Sequence, residues 1–178
     1  MTASHAQAIA ANGAGLKTYI LDIMQPIFSK AEPKKYSNKT MERGLELEPE
    51  ADMIYQFTTG IETKQVGFVV HDDHTGCSPD RFASIDGLTE MKCPEDKAYF
   101  KLLLDHKIET KYEWQMQMQM FVCEKKWCDY VVYNPNFKQQ IFIERVFVDP
   151  KKIEKLRLGF VAGKKMIKEI ENKMGKAA

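Results

Sequence analysis

Glu90 and Lys92 stand two residues apart in the segment GLTEMKCP, residues 87–94. In an extended strand side chains alternate faces, so Glu90 and Lys92 point one way and Met91 and Cys93 the other. An acid beside an amine can be an exposed ion pair, which is common and contributes little. It can also be a metal ligand with a cation next to it. Ten residues before Glu90, Asp80 stands in CSPDRF, where Pro79 fixes its own φ and favours an extended Ser78. Asp80 opens one strand of an expected hairpin, and Glu90 and Lys92 lie on the next, so strand pairing can gather all three. Two carboxylates at close range repel unless a cation lies between them, and hard oxygens of this kind suit Mg²⁺. A lysine beside them can stabilise the charge of an attacking oxygen. The grouping points to metal-dependent hydrolysis.

Other chemistry-bearing residues read as ordinary structure. His71 and His74 in HDDHTG suggest a metal cluster, but a polar hairpin loop explains them better. Cys77, Cys93, Cys123 and Cys128 form no CxxC, and no second pair completes a zinc site. Without a signal peptide they read as reduced thiols in a cytoplasm. Met116, Met118 and Met120 read as core filler. Glu46 and Glu50, on either side of Glu48, read as solvated helix residues.

The elements that must position the acids can be read along the chain. At 178 residues it is long enough for one domain with a real core. The net charge of +1 does not announce a nucleic-acid binder, although a local patch is what matters. Residues 149–178 carry nine Lys/Arg against four Asp/Glu, so the closing helix is basic. No apolar run is long enough to span a membrane. TASHAQAIAANG reads as a helix stopped by Gly13, and LKTYILDIMQPIF as a second helix kinked or ended near Pro26. Residues 32–38 read as a loop and residues 39–59 as a helix. Its expected buried side is Met41, Leu45, Ile54 and Phe57, with Gly60 as C-cap. IETKQVGFVV reads as one strand and HDDHTG as a turn. DRFASID and LTEMKC read as a hairpin around Asp86-Gly87. A helix follows Pro94. WCDYVVYNP and QQIFIERVFV form a strand pair with a turn at Asn134-Pro135-Asn136. From Pro150 an amphipathic helix offers Ile153, Leu156, Phe160, Met166 and Ile170 to one side. WQMQMQMF alternates strictly, as a strand would, yet consists largely of good helix formers. On a helix, Gln115 and Gln119 share a face. The order predicts an α/β domain with a central sheet flanked by helices.

Asp, then Glu-x-Lys, is the signature of the PD-(D/E)xK nuclease superfamily, here Pro79-Asp80 and Glu90-Met91-Lys92. With its neighbours, CSPD and EMKCP, the chain resembles the phage lambda exonuclease type, the YqaJ-like viral recombinase family. Gly44, Glu48, Ala51 and the FTTG of residues 57–60 match that family's earlier helix. Gln115 and Gln117 match its Q-x-Q, and Thr2-Ala3-Ser4 its opening T-A-S.

The resemblance implies a restriction-endonuclease-like core with a central mixed sheet, forming a single domain over residues 1–178. It makes Asp80, Glu90, Lys92 and Gln115 the catalytic group. Metal would be held by Glu48, Asp80, Glu90 and the Met91 carbonyl, with two Mg²⁺ ions per site for which Mn²⁺ can substitute. It places the segment around Gln115 on a helix. Ser4 and Ser78 match serines of a 5′-phosphate pocket, to which Lys97 is added as a neighbouring cation. The family's arginine upstream of T-A-S has no counterpart, and Ala98 stands where a second arginine is expected. The implied activity is digestion of linear double-stranded DNA, 5′ to 3′, leaving 3′ overhangs for phage-type recombination. The implied partners are DNA ends, two further copies in a toroidal homotrimer and a single-strand annealing protein. The implied setting is the cytoplasm of a bacterial host, from a phage or prophage gene. An endonuclease of the same superfamily and a non-catalytic DNA-end-binding protein are the alternatives.

Overall fold

The computed structural model describes residues 1–31 and 39–175. After a single 3₁₀ turn, Ala3–His5, come α1 (Ala6–Ala11), α2 (Ala14–Phe28) and α3 (Lys39–Thr59). Strands β1 (Thr63–Gln65), β2 (Val69–Asp72), β3 (Thr75–Cys77), β4 (Arg81–Ala83) and β5 (Gly87–Lys92) follow. Then come α4 (Asp96–Asp105), α5 (Thr110–Val122), β6 (Trp127–Tyr133), β7 (Ile141–Phe147) and α6 (Pro150–Gly175). The main sheet has the order β1-β4-β5-β6-β7, and β2 and β3 form a separate ribbon. Only the central pair of the main sheet, β5 with β6, is parallel. Parallel neighbours need a long crossover, and α4 and α5 supply it.

The sheet is covered on both faces. On one, α3 packs Ala51 and Tyr55 against Met91, Cys93, Val131 and Tyr133. On the other, Met116 and Met120 of α5 and Tyr99 of α4 pack against Leu88, Cys128, Tyr130 and Val132. A third core joins α1, α2 and α6 to the far side of α5 through Ile9, Leu16, Ile20, Leu156, Met118 and Val122. The helix α5 is therefore enclosed by the sheet on one side and by helices on the other. That explains the alternation of WQMQMQMF: a helix buried all round has no polar stripe, so its pattern carries no 3.6 period.

Several expectations are corrected. The first helix is stopped by Asn12 in the left-handed region at φ 48°, and Gly13 becomes the N-cap of α2. Asn tolerates that conformation because its short side chain can bond locally. The helix α2 ends at Phe28, two residues past Pro26, in keeping with an end near that proline. The loop read over residues 32–38 and the side chain of Met41 lie outside the described residues. Leu45 and Phe57 are 73% and 90% exposed. The inner face of α3 is instead the run Leu47, Ala51, Ile54 and Tyr55, spaced by four, three and one. Gly60 caps the helix as read, at φ 70° with its N–H donating to Gln56 O at 2.8 Å. The strand read through IETKQVGFVV is two strands in different sheets. The β4–β5 turn holds Ser84, Ile85 and Asp86, with Ser84 at φ 54°, and Gly87 already pairs with Ala83. Glycine is needed there for space, because a Cβ would lie 2.2 Å from the Trp127 ring. The β6–β7 connection spans residues 134–140, longer than the turn read at Asn134-Pro135-Asn136. Asp149 caps α6, its Oδ1 accepting from Lys151 N at 2.8 Å.

The third core rests on a close approach of α1 and α6. A Cβ added to Gly159 would lie 2.0 Å from the carbonyl oxygen of Ile9. Backbone cannot yield as a side-chain tip does, so Gly159→Ala is expected to cost about 2–3 kcal/mol by overpacking. Gly44→Ala, whose Cβ would meet nothing within 4 Å, gains about 0.5–1 kcal/mol in helix propensity. Thermal melts of the two variants check the contrast.

Candidate active site

The loop between the β2–β3 ribbon and the main sheet delivers Asp80. Its Oδ2 accepts from the Met91 N–H at 2.6 Å, so the backbone of β5 holds the side chain that the hairpin brings alongside. Glu90 and Lys92 share the face of β5 that α5 covers, and the Lys92 ammonium donates to Glu90 Oε1. Glu90 is fully buried. Gln115 Nε2 donates to the same Oε1 at 2.6 Å. Gln119, one helical turn on, donates from Nε2 to Oε2 at 2.6 Å. Lys92 is also 5.2 Å from the centre of the Tyr112 ring.

The electrostatics show a site short of positive charge. Burial first, then the charge of Glu90, pushes the Asp80 carboxyl up to about 7, against the opposing pull of Lys92 and of the Met91 N–H. Burial works against the Lys92 ammonium too, yet Glu90 and Asp80 outweigh it and hold its pKa above the ordinary lysine value. Buried carboxylates in this state are relieved by a cation, and hard oxygens on adjacent strands fit a divalent one. Among the described residues no group of three or more His, Cys, Asp or Glu side chains is already arranged around one point for a metal. Glu90 has both oxygens engaged by donors, and Glu48 is turned to an arginine.

Glu48 projects from α3 towards β4, where Arg81 Nη2 donates to its Oε1 at 3.3 Å. Its charge still reaches Asp80. Arg81 Nε is 3.2 Å from Asp52 Oδ1, and Asp52 also accepts from Thr63 at 2.6 Å and Gln56 at 3.0 Å. A second clamp fixes α3 on the sheet: Tyr55 Oη donates to Asp129 at 2.8 Å, and Arg145 forks onto both Asp129 oxygens at 2.7 and 2.8 Å.

Beside Lys92 opens a cleft of about 550 Å³, lined among others by Gln7, Ala98, Lys101, Lys107, Lys111 and Tyr112. Its lining holds four lysines, Lys92 included, against Asp105 and Glu109, and Lys111 is paired with Glu109 at 2.9 Å, so the cleft keeps a net positive charge. Lys97 is exposed and does not line it; Ala98 and Lys101, one and four residues on, do. Ser78 is exposed between β3 and β4. Ser4 is exposed too, with Oγ 3.3 Å from Thr2 Oγ1 and 3.1 Å from His5 Nδ1. His71 and His74 lie in the β2–β3 hairpin, His71 with its ring 5.0 Å from that of Phe121.

The structure thus brings Asp80, Glu90, Lys92 and Gln115 together, with Glu48 at the edge. Gln117 belongs elsewhere: its Nε2 donates to Phe147 O and its Oε1 accepts from Asp149 N, both at 2.8 Å. It ties β7 to α6. The second amide on Glu90 is Gln119, whose i+4 spacing from Gln115 was the signal for it. Arg81 had no such signal, because its partners come from a helix thirty residues earlier.

A mixed sheet flanked by helices, carrying Asp80 at the mouth of one strand and Glu90-x-Lys92 on the next, is the PD-(D/E)xK nuclease architecture. Residues 1–126 match the YqaJ-like viral recombinase domain, and the chain belongs to that family. It is similar to the alkaline exonuclease LHK-Exo from Laribacter hongkongensis. The two are 28% identical with a TM-score of 0.82, covering 100% of this chain and 94% of that one. The same enzyme in complex with dAMP gives a TM-score of 0.84 at the same identity and coverage. A phage-related exonuclease from Haemophilus somnus shares the fold, with a TM-score of 0.73 at 17% identity, over 98% of this chain and 96% of that one. No curated protein matches the chain.

Proposed function

We propose that this chain digests linear double-stranded DNA from the 5′ end, leaving a 3′ single strand for phage-type homologous recombination. That it is a DNA exonuclease, a phosphodiester hydrolase, follows from its family and from its likeness to alkaline exonucleases along its whole length. The observation that carries the reading is the convergence of Asp80, Glu90 and Lys92 beside a lysine-lined cleft. That the relative was solved in complex with dAMP, a nucleotide, supports action on nucleic acid.

Asp80, Glu90, the Met91 carbonyl and Glu48 would hold Mg²⁺, or Mn²⁺ in its place, with two ions per site. When bound there, divalent metal would supply Lewis-acid and charge-compensating chemistry for phosphodiester hydrolysis. Lys92 offsets negative charge that gathers on the phosphorane-like transition state. Gln115 orients Glu90, and Tyr112 shields Lys92 from solvent. The lysines of the cleft hold the DNA backbone. In the cell the chain would act in the cytoplasm of a phage-bearing bacterium, as a ring-shaped trimer with DNA through its centre, beside a single-strand annealing protein. No helix among the described residues is long and apolar enough to cross a membrane.

End-labelled linear duplex, with and without Mg²⁺, tests the activity. Release of 5′ nucleotides only with the metal, and no attack on covalently closed plasmid, is the expected result. Nicking of the closed circle would favour an endonuclease instead, and size-exclusion light scattering showing only monomer would remove the ring.

The 5′ phosphate gives a further expected outcome. Ala98 removes one arginine from the cleft, and Arg81 is engaged by Glu48 and Asp52. Ser4, Ser78 and Lys97 are exposed, so Lys101 is the cation in the cleft nearest in sequence to Ala98. Lysine gives a point charge without arginine's bidentate fork. Losing one charged contact costs about 1.5–3 kcal/mol, or roughly one to two powers of ten. Initial rates on duplexes differing only in the terminal phosphate should therefore differ by less than about a hundredfold. Lys101→Ala should shrink the difference further.

A further inference from the structure

We infer that Gln119 is a positioning residue of the active site: its buried amide fixes the carboxylate of Glu90 and so sets where the oxygen shared with Lys92 points. The inference rests on the reading of Glu90 as a metal ligand. Glu90 and Gln119 are both fully buried. The two carboxylate oxygens are treated differently. Oε1 faces the partly exposed side of the site and accepts from Lys92 and Gln115. Oε2 faces inward and accepts from Gln119 at 2.6 Å. The carboxylate torsion of a glutamate is broad and roughly two-fold, so donors rather than intrinsic preference must fix its plane. Gln115 and Lys92 grip one oxygen, which leaves rotation about the side-chain axis to be stopped at the other. Gln119 stops it, and it also meets the demand of an oxygen that no water reaches.

Three features separate this role from generic packing. Gln119 Oε1 has no partner among the described residues, so a buried amide is kept here at the cost of one unsatisfied acceptor. An apolar residue of the same volume would avoid that cost, and α5 uses methionine at 116, 118 and 120. Gln117, equally buried on the same helix, makes two bonds to the β7–α6 junction and none to Glu90. The helix therefore carries one structural and one site-facing buried glutamine side by side, which supplies an internal control.

The experiment compares Gln119→Met, Gln117→Met and Glu90→Gln with the full-length wild type, by Mn²⁺ calorimetry and steady-state digestion of linear duplex. Loss of a group that orients a metal ligand commonly costs about 10–100-fold in metal affinity or activity. Gln119→Met is expected to weaken Mn²⁺ binding and to lower kcat, each by about 10–100-fold, with KM for DNA unchanged. Gln117→Met is expected to melt at a lower temperature but to keep wild-type Mn²⁺ affinity. If Gln119→Met fails to fold, Gln119→Asn, whose amide falls short of Glu90, is expected to show the same loss of Mn²⁺ affinity. Wild-type Mn²⁺ affinity in a folded Gln119 variant overturns the inference, provided Glu90→Gln abolishes binding. If Glu90→Gln itself binds Mn²⁺ normally, the ligand assignment falls and the inference falls with it.

Discussion

Lys92→Met is expected to hydrolyse linear duplex DNA at least a hundredfold more slowly than the wild type while binding Mn²⁺ at least as tightly. The two halves of this expectation come from one charge. Lys92 is the cation closest to Glu90, donating to Oε1, and its own ammonium is held by Glu90 and Asp80. Removing it leaves two carboxylates with less compensation, so a divalent ion becomes more welcome. The charge that Lys92 brings to the transition state is lost in the variant. Removing a preorganised charge-stabilising donor costs about 10²–10³ in kcat, and Lys92 brings a full charge to the fully buried Glu90. Methionine keeps the length of the aliphatic stem against Tyr112. Circular dichroism and the Mn²⁺ titration certify the fold. A folded variant within a few-fold of wild-type activity would remove Lys92 from the chemistry.

Asp80→Asn is the second large effect, with opposite signs for activity and stability. The amide cannot supply the charge that a Mg²⁺ ligand must, and a metal contributes several kcal/mol to transition-state stabilisation, so activity should fall by about three powers of ten. Glu48→Gln should fall less, because Glu48 stands at the edge of the site and shares its charge with Arg81. The stability sign comes from the raised pKa. A carboxyl whose folded value is about 7, against an ordinary 3.8, favours the protonated form in the fold. Its contribution is therefore lost as pH rises from about 4 through 7. At pH 8 the metal-free wild type carries the full burden of an ionised Asp80, and asparagine does not. The variant should gain about 1–2 kcal/mol there, and the gain should vanish near pH 4. Adding Mg²⁺ should raise the wild-type Tm and leave the variant unmoved. Melts at pH 4 and 8, with and without Mg²⁺, read all of this from one pair of proteins. An Asp80→Asn protein less stable than wild type at pH 8 would contradict the charge balance described.

How much of this was visible in the sequence depended on whether a feature was local. Asp80, Glu90 and Lys92 could be placed together because strand alternation and hairpin pairing act over a dozen residues. The central sheet and its flanking helices followed from the order of periodic segments, and the mixed character of the sheet from the family resemblance. The inner face of α3 could be read at Ile54 but not at Leu45 and Phe57, which point outward while Ala51 and Tyr55 pack on the sheet. Hydrophobicity alone ranks those residues in the wrong order. Gln119 could be paired with Gln115 by its i+4 spacing, but the partners of Gln119 and Gln117 could not be read on a helix enclosed on every side. Only the neighbours, β5 for one and the β7–α6 junction for the other, separate them. Arg81 stands beside Asp80 in the chain, but its pairing with Glu48 and Asp52 depends on where α3 docks, which no local rule supplies.

The parallel pairing of β5 with β6 has a consequence for how the protein comes into being. The central pair cannot zip from a turn as a hairpin does. It must wait until the thirty-odd residues between the two strands have been made and have looped back, which favours slow, high-contact-order folding. Asp80, Glu90 and Lys92 leave the ribosome before that loop exists, and Gln115 and Gln119 lie within it. A nascent chain that ends at β5 carries the acids without the amides that hold Glu90, and without β6 to hold the strand. The site therefore closes only when its crossover does, since Gln115 and Gln119 reach Glu90 from within it.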